Sequence, residues 1–237
     1  MTADLPPLPY RTALIVGAGA GISASVARML AAENIQVGLV ARRSDKLAPL
    51  AEEIGGQTFA ADVADIEQVR RLFEDVDARL GEPDIVIYNA AYRVAGPIAE
   101  LDPEAVRQAI AISGFGGFLV VQQAVKRMLP KGCGAILLTG ASASVKGYAQ
   151  SAPFAMGKFA LRGLAQSAAR ELGPKGIHVA HIVIDGAVRR ARRPDPADRP
   201  DSTLDPNGIA QTYLNLLRQP RNAWSLEVEL RPWVEHF

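Results

Sequence analysis

Apolar positions along the chain fall into two alternating kinds of segment. Short continuous runs, TALIVGA at residues 12–18 and IQVGLVA at residues 35–41, have the character of strands covered on both faces. Longer stretches of helical period separate them. SASVARMLAAE follows the first run, and SDKLAPLAEEIG follows the second with Ser44 as its candidate N-cap. IEQVRRLFEDVDARLG, a charged amphipathic stretch, follows a short third strand, QTFAAD. DIVIYNA (84–90), GAILLTG (134–140) and IHVAHIVID (177–185) continue the series as the fourth, fifth and sixth strands. The helical stretches between them run over about residues 103–129 and over residues 154–173, the latter stopped by Gly173 and Pro174. SLEVELRP alternates and is a candidate seventh strand. This repetition predicts an α/β fold: a single Rossmann-type doubly wound domain over residues 11–237, with a mostly parallel seven-stranded sheet and helices on both faces. Right-handed crossovers bring the C-terminal ends of the strands to one edge, where such sheets bind ligands.

Composition narrows the possible functions. The chain has 237 residues, 49% of them hydrophobic, enough for one large core. A net charge of +1 gives no argument for nucleic acid or a membrane surface as partner. The apolar runs are short and broken by glycine or charge, so no membrane span is expected. Cys133 is the single cysteine, which excludes an internal disulfide and a cysteine-rich zinc site and fits a reducing, cytoplasmic setting. No His/Cys/carboxylate cluster has metal-ligand spacing. The opening MTADLPPLPY lacks the pattern of a secretory signal, and residues 1–10 read as a flexible tail.

VGAGAGIS, residues 16–23, follows the first strand and opens the first helix. Glycines there let the backbone approach a pyrophosphate, whose charge the helix N-terminus favours. Gly17, Gly19, Gly21 and Ile22 are therefore candidate nucleotide contacts. The spacing, with Gly17 and Gly21 at its ends, resembles that of the short-chain dehydrogenase/reductase family. The family's usual motif ends Gly-Ile-Gly; here it ends Gly21-Ile22-Ser23, with the Ser23 hydroxyl a candidate phosphate donor. The resemblance extends from residue 11 to about residue 188. Where the family selects its nucleotide, at the end of the second strand, stand Arg42 and Arg43 without a carboxylate. A guanidinium suits a 2′-phosphate, so the resemblance implies NADP(H) in preference to NAD(H). Asp62-Val63 resembles the family's adenine-contacting pair, and Asn89-Ala90-Ala91 its Asn-Ala-Gly. Lys158 and Val188 complete the implied cofactor contacts.

The family's reaction implies hydride exchange with a small carbonyl or alcohol, using a tyrosine acid, a lysine, a serine and an asparagine. Lys158 matches the lysine, but Phe154 fills the tyrosine position, one helical turn earlier, and a phenyl ring donates no proton. Strict spacing puts Ala141 at the serine position, with Ser142 or Ser144 as substitutes, and Ser113 stands at the asparagine position. Three routes for the proton stay open: Asp185 after the sixth strand, with a raised pKa; Tyr148; or water, where an activated double bond is reduced. His178 and His181 face opposite sides of the sixth strand and read as core histidines. The expected function is an NADP(H)-dependent oxidoreductase acting on a small carbonyl/alcohol or activated double bond with an atypical proton donor. Its alternative is a catalytically impaired NADP(H)-binding sensor or scaffold.

Residues 188–206 occupy the place of the family's substrate lid. They carry Arg189, Arg190, Arg192, Arg193 and Arg199, which would either draw an anionic substrate or pair with the loop's own aspartates. Both tryptophans lie in the last fifteen residues and suggest docking onto the core or a partner. The resemblance implies a homodimer or homotetramer built on the two long helices.

Overall fold

A computed structural model describes residues 7–190 and 195–235. Seven strands form one sheet: β1 (Thr12–Val16), β2 (Gln36–Ala41), β3 (Gln57–Ala60), β4 (Ile85–Tyr88), β5 (Gly134–Thr139), β6 (Ile177–Ile184) and β7 (Glu227–Leu230). Every pairing is parallel and the order is β3-β2-β1-β4-β5-β6-β7. The expected strands thus all form, SLEVELRP included. The helices are α1 (Ile22–Ala32), α2 (Ala48–Ile54), α3 (Ile66–Arg79), α4 (Pro103–Ile110), α5 (Gly116–Lys131), α6 (Ala152–Leu172) and α7 (Pro206–Leu217).

Strand alternation sorts the core into two layers. Leu14, Val16, Val86, Tyr88, Ile136 and Leu138 face α3, α5 and α6, where Phe73, Val120, Met128 and Leu161 meet them. Ala13, Ile15, Ile85, Ile87, Leu137 and Ile182 face α1, α2 and α7, against Leu30, Leu50, Tyr213 and Leu214. Each fully buried Leu or Ile contributes about 1.5–3 kcal/mol relative to exposure. The continuous apolar strand runs follow from this two-sided cover.

Two expectations need correction, the Ser44 cap and the N-terminal tail, and one helix was not foreseen. Ser44 caps no helix: a 3₁₀ turn spans Ser44–Leu47, and α2 begins only at Ala48, with Pro49 in its first turn. The helix expected over about residues 103–129 forms as one continuous helix, α4 and α5 joined by a π turn at Ala111–Phe115. By length and composition the whole helix, Pro103–Lys131, is apolar enough to cross a bilayer, which run lengths did not suggest; more than half of its apolar window is buried inside the protein. Residues 7–10, expected to belong to a flexible tail, instead meet the core: Leu8 is buried and Tyr10 packs on the same layer; residues 1–6 lie outside the described residues. Helix α7 is the one not foreseen. Asp205 caps it by accepting from the Asn207 N–H (2.9 Å), and Ile209, Ala210, Tyr213, Leu214, Leu216 and Leu217 bury its apolar face.

The expected docking of the tryptophans holds for one of them. Trp224 stacks on His178, ring centroids 4.8 Å apart, and donates to the Gln219 carbonyl (3.1 Å). Trp233 is 79% exposed.

Candidate active site

The sheet order reverses between β1 and β4, and the loops leaving the C-terminal ends of β1–β4 open there into a groove. The part beside α1, about 610 Å³, is lined by Gly17, Gly19, Gly21, Ile22, Asn89, Val188 and Arg190. The adjoining part is lined by Arg42, Asp62, Val63 and Ala90. Of the residues expected to hold a nucleotide, Arg43 and Lys158 are not among these linings; Arg43 instead precedes the 3₁₀ turn.

The glycine turn has a steric logic. Gly17 has φ +83°, and a Cβ there would stand 2.3 Å from the Ala90 backbone nitrogen, so no other residue fits. A Cβ at Gly19 or Gly21 would meet no protein atom within 4 Å. What those two glycines keep open is the groove itself, at the N-terminus of α1, which has neither a side-chain cap nor an acidic residue in its first turn. The residues present therefore fit a dinucleotide, with its pyrophosphate against the α1 N-terminus. The Ser23 hydroxyl is not the phosphate donor expected. It donates to the Gly17 carbonyl (3.3 Å) and accepts from the Asn89 side-chain amide (2.8 Å), which ties the turn to the end of β4. Asp62 accepts from the Ala64 N–H (3.0 Å), and this fixes its carboxylate at the other end of the groove.

Lys158 lies on α6, is 3% exposed and donates to the Thr139 carbonyl at the end of β5 (2.7 Å). Thr139 is held in turn by the Tyr213 hydroxyl from α7, at 2.7 Å. Burial without a carboxylate partner lowers the Lys158 pKa to about 8. Phe154, half-buried one turn earlier, sets its ring 5.8 Å from Lys158 Nζ and 5.6 Å from the Arg93 guanidinium carbon. Sequence reasoning passed over Arg93; its only signal is a basic residue four positions after Asn89 in the same strand-end loop. Thr139 and Tyr213 were also missed, because α7 was.

The serine and asparagine positions have structural uses. Ser144 is buried and accepts from the Ala141 N–H (3.1 Å), while Ser142 stays partly open to the site. Ser113 sits in the π turn, fully buried, and accepts from the Tyr92 N–H (3.4 Å). A Cβ at Gly157 would lie 2.6 Å from the Ser113 Cβ, so α6 can approach the turn only with glycine there. The Tyr88 hydroxyl donates to the Ile112 carbonyl within the same π turn, and its burial raises its pKa.

The two candidate acids have other partners. Asp185 is buried, but its carboxylate stands 3.6 Å from Lys146 Nζ and 3.9 Å from the Arg231 guanidinium. That arrangement supports an ion-pair anchor for the segment after β7 rather than a displaced acid. Tyr148 is 47% exposed and hydrogen-bonded to Lys146. His178 accepts a core role against Trp224 and the Ser225 carbonyl (3.0 Å). His181 donates through Nδ1 to Glu227 (2.9 Å), a carboxylate that Arg162 holds below its usual range. Burial lowers the His181 pKa as well, so the ring is neutral at neutral pH.

In the loop over residues 188–206, Arg189 meets Asp195 at 3.2 Å, Asp201 at 4.0 Å and Asp205 at 2.5 Å, so its charge is neutralised internally. Arg199 lies 4.0 Å from Asp198. Arg190 faces the glycine turn instead, and Arg192 and Arg193 lie outside the described residues. Among the described residues no group of His, Cys, Asp and Glu is placed to hold a metal ion.

Comparison with known proteins agrees with this geometry. D-threitol dehydrogenase of Mycolicibacterium smegmatis is 31% identical over 180 residues, covering 74% of this chain and 69% of that one. A short-chain dehydrogenase from Rhodopseudomonas palustris superposes with a TM-score of 0.81 at 36% identity, over 94% of this chain and 99% of that one. A metagenomic short-chain oxidoreductase solved in complex with NADP gives a TM-score of 0.83 at 26% identity, over 97% of this chain and all of the other. The family model for short chain dehydrogenases matches residues 11–192, from the start of β1 into the loop over residues 188–206, and the chain belongs to that family.

Proposed function

We propose that the protein is an NADP(H)-dependent oxidoreductase of a small carbonyl/alcohol or activated double bond that works without a side-chain acid at position 154. The observation that carries this reading is Lys158. A buried ammonium with a pKa of about 8 opposes folding by roughly 3 kcal/mol at neutral pH, the kind of stability cost that functional sites carry. A metagenomic relative that binds NADP supports the nucleotide class.

The nucleotide, when bound, supplies or accepts the hydride. The glycine turn and the α1 N-terminus would hold its pyrophosphate, and Asp62 and Val63 its adenine; the family resemblance assigns its nicotinamide ribose to Lys158, which is buried against the Thr139 carbonyl. Arg42 lines the groove beside Asp62, and among the described residues it has no carboxylate partner. That leaves its guanidinium available for a 2′-phosphate. Arg42→Ala should lower the preference for NADPH over NADH about 10- to 100-fold, read as the ratio of their dissociation constants. An unchanged ratio would refute the NADP assignment. With Asp185 and Tyr148 engaged elsewhere, the proton comes from solvent through the open side of Phe154. The test is NADPH consumption over a panel of ketones, aldehydes, quinones and enones. Tight NADPH binding with no turnover of any of them would overturn the reading in favour of a binding protein.

A homo-oligomer through α5 and α6 belongs to the same proposal. Phe115 (42% exposed) and Phe118 (44%) stack at 6.3 Å, and Met156 and Phe159 on α6 are exposed too. Sedimentation should find the natural protein dimeric or larger and a Phe118→Glu/Phe159→Glu variant monomeric. Equal masses would refute this interface.

A further inference from the structure

Arg93 differs from the other arginines whose contacts define the fold. Arg28, Arg127, Arg162 and Arg218 each meet a carboxylate at 2.6–2.7 Å. Arg93 is exposed and, among the described residues, makes no hydrogen bond and no ion pair; its guanidinium carbon lies 5.6 Å from the Phe154 ring centroid. The position is built nonetheless. Its loop is pinned on one side by the Tyr92 N–H to the buried Ser113 hydroxyl (3.4 Å). On the other, the Gly96 N–H donates to the Gln150 carbonyl (2.9 Å). A guanidinium carries its N–H donors as a planar fork, and with no hydrogen-bond partner of its own that fork is open to a bidentate acceptor.

Placement says what that acceptor is attached to. By the family resemblance Phe154 stands where the family's acid faces the reacting carbonyl, and the Arg93 guanidinium carbon lies 5.6 Å from that ring, so an anion held by Arg93 would stand beside the reacting carbon. The loop over residues 188–206 does not compete for it, because Arg189 is neutralised by its three aspartates and Arg190 faces the glycine turn. We infer that Arg93 is the anion-recognising residue of the substrate pocket, and that the substrate carries a carboxylate next to its carbonyl or alcohol carbon, as 2-oxo and 2-hydroxy acids do. This assignment rests on the oxidoreductase reading above for the identity of the pocket.

Phenylglyoxylate and acetophenone share a ring and a ketone and differ by the carboxylate. Each is titrated calorimetrically into the protein in excess NADP⁺, with which neither ketone can react, for the natural chain, Arg93→Ala and Arg93→Lys. The natural protein should bind phenylglyoxylate at least about 30-fold more tightly than acetophenone. Arg93→Ala should reduce that ratio about 30-fold, and Arg93→Lys should restore only part of it, since an ammonium cannot fork. Equal binding of the two ligands by the natural protein, or an unchanged ratio in Arg93→Ala, overturns the inference. Because the readout is equilibrium binding, a protein that discriminates through Arg93 yet turns nothing over would sink the oxidoreductase reading and leave the anion site standing.

Discussion

Lys158→Met is expected to reduce NADPH-dependent turnover by about 10²–10³-fold while making the protein without nucleotide more stable. The two effects have one origin. The ammonium is buried, its one protein partner is the neutral Thr139 carbonyl, and burial lowers its pKa from 10.5 to about 8. The unfolded chain binds this proton more tightly than the folded one, so below pH 8 the fold carries the whole penalty, roughly 3 kcal/mol. Between about pH 8 and 10.5 the unfolded state alone still holds the proton, and stability from this group rises with pH. Above 10.5 the lysine is neutral in both states and the penalty is gone. Methionine removes the penalty but leaves the Thr139 carbonyl without its donor, which costs about 1–2 kcal/mol. The net gain at pH 7 is then about 1–2 kcal/mol, a rise of several degrees in Tm for a chain of this size. Urea unfolding at pH 7 and pH 10, compared with the natural protein, checks both points: the variant's advantage should shrink at the higher pH. NADPH affinity of the natural protein should also weaken as pH rises through about 8, where the donor loses its charge. A variant less stable than its parent at pH 7 would mean that the lysine is a structural ammonium, and the argument for a functional site would lose its main support.

The fold was legible in the sequence because two-sided burial leaves an unmistakable trace. Runs such as ALIV and IVIY have no polar position to interrupt them. The groove was legible for a related reason, since Gly17, Arg42, Asp62 and Asn89 each follow the end of a strand. What stayed hidden depends on contacts between distant segments. Ser23 looked free for phosphate, yet Asn89, 66 positions away, engages it. Asp185 looked like an isolated buried acid until Lys146 and Arg231 were brought against it by separate loops. The π turn at Ser113 follows from the Tyr88 hydroxyl and from Gly157, neither of which is near it in sequence. Helix α7 was passed over because its apolar face follows a loop rich in proline and charge, and with it went Tyr213 and the support for Thr139. Arg93 carried no periodicity at all; only its place over Phe154 distinguishes it from a surface arginine.

Phe154→Tyr should raise the rate of carbonyl reduction by about 10²-fold, the lower end of what a positioned general acid contributes. The ring is already placed, half-buried between α6 and the Arg93 loop, so the hydroxyl adds a donor without repacking a core. Lys158 Nζ and the Arg93 guanidinium both lie within 6 Å of the ring centroid. Two cations at that range favour the phenolate and would bring the tyrosine pKa below its ordinary value, toward the range where it can donate and recover a proton. Stability should change little, because the ring is only half-buried. Single-turnover NADPH oxidation by the two proteins separates the readings. If both react and the tyrosine is about 10² faster, solvent supplies the proton in the natural protein and its delivery limits the rate. If both react equally, proton delivery is not limiting, and the phenylalanine reflects a substrate whose reduced anion needs no positioned acid. Reaction by the tyrosine variant alone would mean that the groove, Lys158 and Arg93 form a reductase site from which only the hydroxyl is missing, and the natural protein would then be a nucleotide-binding protein in which Phe154 is the switch.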